Sequence, residues 1–98
     1  MMLPRLKHAW SMTPKALEQM PEAPEVYARR FFYDCVVFDP RLVRLLIESY
    51  GSTQILIGSD YPFAMGEGDP VGLLERSNLG AATIAAITGT NAERFLGL

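Results

Sequence analysis

The acidic side chain best placed for chemistry is Asp60, which follows the apolar run Ile55-Leu56-Ile57. Three aliphatic residues in a row are typical of a strand buried on both faces. Pro62 cannot donate a ladder hydrogen bond and disfavours helical geometry at the residue before it, so the strand should end at or just after Asp60. Parallel α/β folds place their reactive groups at such carboxyl ends. Spacing alone favours a turn-capping role for this carboxylate over a catalytic or ligand role.

The other candidate groups do not combine into a familiar site. His8 and Cys35 are the only histidine and cysteine, and they lie far apart in the sequence. A catalytic zinc site takes three protein ligands, so a complete metal site within one copy is not expected. His8 is interpreted as a surface or packing residue and Cys35 as a small core residue. Arg5 could grip an anion bidentately, although a solvated arginine is the simpler interpretation from the residues alone.

Composition and charge narrow the class of protein. The 98 residues are 49% hydrophobic and 20% charged, with a net charge of −2, which argues against a nucleic-acid interface. No apolar run approaches the roughly 18 residues of a membrane span, and no signal peptide is visible. A single cysteine and no export signal predict a cytoplasmic protein.

The pattern of the chain predicts one α/β domain with a strand–helix–strand unit at its centre. Residues 31–38 are aromatic and β-branched, as in a buried strand, and Asp39-Pro40 should begin a helix that ends at Gly51. The second strand, from Ile55, follows directly. The short spacing fits a right-handed βαβ unit.

The flanking segments are expected to be helical or loop-like. Residues 1–12 should form a loop, and Thr13 should cap a short helix from Pro14 to Met20. One or two helical turns are expected over Glu25–Arg30. Further helices should run over residues 70–76, over residues 81–88 with Gly89 at the end, and over residues 91–96 with Asn91 as the cap.

Two strands do not make a stable sheet by themselves. The chain should therefore pair with copies of itself or belong to something larger.

Several runs of this sequence resemble one end of the metal-dependent amidohydrolase-related decarboxylases, a family with a member in tryptophan and nitroaromatic catabolism. The most specific run is Gly58-Ser59-Asp60-Tyr61-Pro62-Phe63, and it is followed by Met65-Gly66-Glu67. Weaker segments occur in the right order, and the resemblance covers nearly all of the chain. They are Arg5–Trp10, Pro24–Tyr27, Arg30–Asp34, Ser77–Gly80, Asn91-Ala92 and Phe95–Leu98.

The resemblance implies a (β/α)₈ TIM barrel, which takes about 250 residues. Residues 1–98 would be the C-terminal part of that barrel domain, with the last two strands and their helices. Asp60 would be a catalytic residue and a zinc ligand that holds the metal and its water and helps to move a proton. Arg5 would bind a carboxylate of the substrate in a neighbouring subunit's active site.

The implied reaction is the zinc-dependent, non-oxidative decarboxylation of a small, ring-opened, carboxylated substrate. The family's histidine ligands have no counterparts among these residues, so the first expectation is a fragment that is inactive alone. A second is one half of a split hydrolase or decarboxylase completed by another chain. A third is a non-catalytic module that self-associates through apolar helices. Partners would be the substrate and either identical subunits or the remaining barrel part, with no nucleic acid and no membrane.

Overall fold

The computed structural model describes residues 2–98. The chain divides into a first compact unit that ends at Phe31 and a second unit, Phe32–Leu98. No helix within the described residues is long and apolar enough to span a bilayer.

The first unit is built from three helices: α1 (Leu3–Met12), α2 (Pro14–Gln19) and α3 (Pro24–Ala28). The predicted loop over residues 1–12 is therefore wrong from residue 3 onward, and Met1 lies outside the described residues. Pro4 does not prevent a helix here because it lies in the first turn, where the missing N–H has no intrahelical acceptor.

Side-chain contacts tie these short helices together. The indole Nε1 of Trp10 donates to the Met20 carbonyl at 2.8 Å. Lys7 Nζ lies 2.9 Å from Glu25 Oε1, and this hydrogen-bonded cation lowers the pKa of Glu25. Thr13 precedes α2, but its hydroxyl donates back to the Ala9 carbonyl at 2.8 Å instead of capping α2, so the predicted side-chain cap is wrong.

The second unit contains the predicted strand–helix–strand unit. Strands β1 (Tyr33–Asp34) and β2 (Ile55–Leu56) pair in parallel, with Tyr33 opposite Ile55, and helix α4 (Pro40–Tyr50) connects them. The α/β prediction is confirmed, whereas the strands are much shorter than the predicted runs. After β1 the Val37 N–H turns back to the Cys35 carbonyl, and this local bond ends the ladder.

Helix α4 begins and ends as its sequence predicts. The Asp39 carboxylate accepts from the Arg41 backbone N–H at 2.8 Å, and Gly51 follows the helix with a positive φ of 89°. The apolar face of α4 buries Val43 and packs Tyr50 onto Tyr33, with ring centroids 4.1 Å apart. The fully buried core of the unit is Cys35, Val43, Ile55, Leu73, Leu74 and Ile87.

Beyond β2 the chain is helical, but the helices are divided differently from the prediction. They are α5 (Pro70–Glu75), α6 (Ala81–Ala85), a π-helical turn (Ala86–Thr90) and α7 (Asn91–Leu96), and a 3₁₀ turn (Ser52–Gln54) precedes β2. Gly89 does not end a helix, because it lies inside the π-helical turn. Asn91 does not cap α7 either. Its side chain is buried and its Nδ2 donates to the carbonyls of Ser52 and Ile55, at 2.8 and 2.7 Å.

Asn91→Leu should lower the free energy of unfolding by about 1–3 kcal/mol, because it leaves the buried Ile55 carbonyl without its donor at similar side-chain volume. Urea denaturation followed by circular dichroism measures this. Glu93→Gln, an exposed change on the same helix, is the matched control and should stay within about 0.5 kcal/mol. Equal midpoints for the two variants would contradict the structural role of Asn91.

Asp39→Asn should produce a pH-dependent loss of stability. Hydrogen bonds from the Arg41 side chain and backbone lower the pKa of Asp39 to about 2, from its usual value near 3.8. The ionised carboxylate therefore stabilises the fold above about pH 4, and this contribution disappears as the pH falls through 2. Asparagine keeps a capping oxygen but not the charge. Thermal melts should show a lower melting temperature for the variant at pH 6 and convergence near pH 2; a constant difference would argue against the ion pair.

Candidate functional site

Asp60 lies beyond the carboxyl end of β2 with its side chain exposed, although the strand ends at Leu56 and not at Asp60 as its sequence predicts. The Ile57 N–H donates to the Ile87 carbonyl at 3.1 Å, so the chain stays anchored until it reaches Gly58. Asp60 itself adopts a left-handed conformation with a φ of 58°. Such a conformation costs roughly 1–2 kcal/mol for most residues and is least unfavourable for Asn and Asp. The following Tyr61–Pro62 peptide is cis.

A second carboxylate, Asp34, is the last residue of β1 and lies at the same carboxyl end of the parallel pair. Its Oδ1 accepts from the Val36 N–H at 2.9 Å, and the residue is exposed. A Cβ on Gly58 would lie 3.1 Å from the Cβ of Asp34 and 3.0 Å from a methyl group of Val36. The absence of a side chain at Gly58 therefore lets the two strand ends approach closely. Asp34 is thus an exposed carboxylate with a backbone hydrogen-bond donor.

Cys35 is fully buried beneath this edge. Burial raises the pKa of its thiol most, a hydrogen bond with the Gly58 backbone opposes this in part, and the nearby negative charges of Asp34 and Glu67 raise the pKa further. A thiol with a raised pKa stays protonated and is a poor nucleophile or metal ligand at neutral pH. The interpretation of Cys35 as a core residue is confirmed.

Arg5 lies in the first unit, exposed on α1, where it lines a depression with Met2, Leu6 and Ala9. His8 is also exposed on α1. Arg5 is in a different unit from Asp60, and its role toward a substrate stays a prediction. An exposed guanidinium is nevertheless available to a carboxylate ligand.

A catalytic zinc ion needs three protein ligands. Within residues 2–98, no group of three or more His, Cys, Asp or Glu side chains could hold a metal ion. The residues present therefore do not fit a complete zinc site. Asp60 could contribute one carboxylate oxygen, and the remaining ligands would have to come from elsewhere.

The loop after Asp60 is packed more tightly than its sequence indicates. The run Gly66-Glu67-Gly68 predicts only flexibility, yet Gly66 packs directly against the backbone of Ser59. Gly68 has no neighbour in the equivalent position. Two glycines in one loop look alike in a single sequence, so no local signal distinguishes the packed one.

The chain matches the amidohydrolase family model over residues 4–98. It is 31% identical over 96 residues to 2-amino-3-carboxymuconate-6-semialdehyde decarboxylase of Dictyostelium discoideum. The aligned region covers 96% of this chain and 27% of that protein. It is 34% identical over 64 residues to the decarboxylase of the same name from Caenorhabditis elegans, covering 64% of this chain and 16% of that protein. The chain thus spans about a quarter or less of the length of these curated relatives. Because the family match includes nearly every residue, the chain belongs to the amidohydrolase family.

Proposed function

We propose that this chain supplies the Asp60-bearing part of a metal-dependent decarboxylase that acts on 2-amino-3-carboxymuconate-6-semialdehyde or a similarly carboxylated substrate. One observation carries the proposal: Asp60 follows a buried parallel strand at its carboxyl end, in a chain aligned over 96% of its length with a decarboxylase. Barrel enzymes build their active sites at that end of the strands. In this proposal β1 and β2 are the last two strands of a (β/α)₈ barrel.

Asp60 would be one ligand of a zinc ion whose histidine ligands lie outside these residues. Metal affinity arises from the assembly of all ligands in one geometry, so a single carboxylate is expected to bind zinc weakly. The proposal therefore assigns the metal to the assembled barrel and predicts an inactive chain when the other ligands are absent.

Exposed large apolar side chains in the second unit support association with the remaining barrel. Phe63 and Met65, in the loop after Asp60, are 72% and 81% exposed. Near the end of α7, Leu96 and Leu98 are 65% and 88% exposed. Surfaces that another polypeptide segment covers are typically rich in exposed apolar groups of this size.

Arg5 would recognise a carboxylate of the substrate. A guanidinium binds a carboxylate through two parallel hydrogen bonds, which fixes orientation as well as charge. A substrate that retains one carboxylate after decarboxylation would keep that contact throughout the reaction.

Asp60→Asn should abolish function of the assembled enzyme without unfolding the chain. The unsubstituted chain, purified without the rest of the barrel, should retain well under one zinc per molecule, as measured by atomic emission. Co-expression with the part of the Dictyostelium relative outside its aligned region should restore zinc retention and consumption of the semialdehyde. The asparagine variant should reduce the restored rate by at least about 100-fold, since one metal ligand is lost.

Glu48→Gln is the matched control, because Glu48 is an exposed carboxylate on α4, outside the loop that carries Asp60. It should restore activity as well as the unsubstituted chain does. The proposal is wrong if the chain alone binds stoichiometric zinc and turns over the semialdehyde, or if Asp60→Asn is as active as Glu48→Gln.

Arg5→Gln in the same co-expressed enzyme should raise KM about tenfold or more with little change in kcat, because a charge-assisted contact to the unreactive carboxylate is lost. Steady-state kinetics measures this split. Lys15→Gln, an exposed cation on α2, should leave both constants unchanged. An unaltered KM for Arg5→Gln would remove Arg5 from the substrate site.

A further inference from the structure

The loop after Asp60 folds back onto the residue that precedes it. The Ser59 carbonyl accepts from the Glu67 N–H at 2.8 Å, and the Ser59 hydroxyl oxygen accepts from the Tyr61 N–H at 3.2 Å. The Asp60 carbonyl accepts from the Phe63 N–H at 2.9 Å. These three bonds enclose Asp60 in a closed turn, although its side chain remains exposed.

The turn closes only because residue 66 is a glycine. A Cβ at Gly66 would lie 2.4 Å from the Ser59 carbonyl oxygen, 3.1 Å from the Phe63 carbonyl oxygen and 3.3 Å from the carbonyl carbon of Asp60. All three atoms belong to the backbone, so no side-chain rotation can relieve the collision. A methyl group here must push the two sides of the turn apart.

We propose that Gly66 and Ser59 are positioning residues that hold Asp60 in its left-handed conformation. They would thereby fix the position of its carboxylate beyond the carboxyl end of β2. The bonds at Ser59 offset the cost of the positive φ at Asp60. A left-handed residue that is not held in this way would relax toward a more common backbone conformation. The significance of this positioning for the metal rests on the proposed function, whereas the conformational part does not.

The loop offers its own matched pair of substitutions. Gly66→Ala introduces the collision, whereas Gly68→Ala adds the same methyl group in open space, with nothing within 4 Å and no positive φ to disfavour alanine. Both variants change the glycine content of the loop equally. Any difference between them reports the close approach and not general loop stiffening.

Nuclear magnetic resonance of the 98-residue chain tests the conformational part. In Gly66→Ala the backbone resonances of Asp60 should shift, and the Glu67 amide should exchange with solvent at least about tenfold faster, because the bond to Ser59 is broken. The resonances of the buried residues Val43 and Ile55 should stay in place. Gly68→Ala should leave all of these signals unchanged. Unchanged Asp60 and Glu67 signals in Gly66→Ala would overturn the proposal.

Ser59→Ala decides the question if Gly66→Ala does not fold. It removes the acceptor of the Tyr61 N–H but introduces no collision, so the Asp60 resonances should shift and the Tyr61 amide should lose protection. Native-like Asp60 signals in Ser59→Ala would then overturn the proposal.

Activity of the co-expressed enzyme separates this proposal from the proposed function. Gly66→Ala should lower the rate and the zinc content at least about tenfold relative to Gly68→Ala, since a misplaced ligand weakens the site. If Asp60→Asn is fully active, the proposed function fails while the resonance comparison still stands. If Asp60→Asn is inactive but Gly66→Ala matches Gly68→Ala in rate and zinc content, positioning by Gly66 fails and the role of Asp60 stands.

Discussion

A strand of two residues can be held in place only if the backbone groups on both of its edges find partners, because buried N–H and C=O groups are costly to leave unpaired. One edge of β2 pairs with β1. On the other edge, the Ile57 N–H reaches the Ile87 carbonyl, and the Ile55 carbonyl accepts from the side chain of Asn91. The C-terminal helices thus perform the task that a third strand performs in a larger sheet.

The π-helical turn allows the C-terminal helices to take the place of a third strand. The N–H of Asn91 donates to the Ala86 carbonyl, five residues back, where an α-helix would direct it to Ile87. The Ile87 carbonyl can therefore accept from Ile57. With β2 held along both edges, the chain reaches Gly58 in a defined place, and the turn from Ser59 to Glu67 then sets the backbone of Asp60. The helical register more than twenty residues downstream therefore influences where the candidate ligand lies.

The parts of this fold that local chemistry determines could be predicted from the sequence. Asp39, Pro40 and Gly51 specify the ends of α4 through a cap, a fixed φ and a positive φ, and the structure has all three. The parallel pair and the place of Asp60 after β2 also agree with the prediction. The lengths of the strands, the role of Asn91 and the packing at Gly66 could not be predicted, because each depends on contacts between residues distant in the sequence. Helix α1 was missed as well, and its Pro4 occupies the first turn, where a proline is compatible with a helix.

The chain belongs to the amidohydrolase family, but its described residues hold too few ligands for a complete metal site. This combination bears on how the backbone of Asp60 is held. A metal site gains affinity when the surrounding polypeptide already holds each ligand near its binding geometry. Here contacts within the chain, the Ser59 bonds and the close approach of Gly66, accompany the positive φ of Asp60. In the proposed enzyme the backbone entropy of Asp60 would be lost during folding and not during metal binding, which would favour metal affinity once the remaining ligands are added. A flexible aspartate at the same position would have to be ordered by the metal itself, at a cost in affinity. A backbone held in this way would therefore suit a metal site larger than the one these residues can complete.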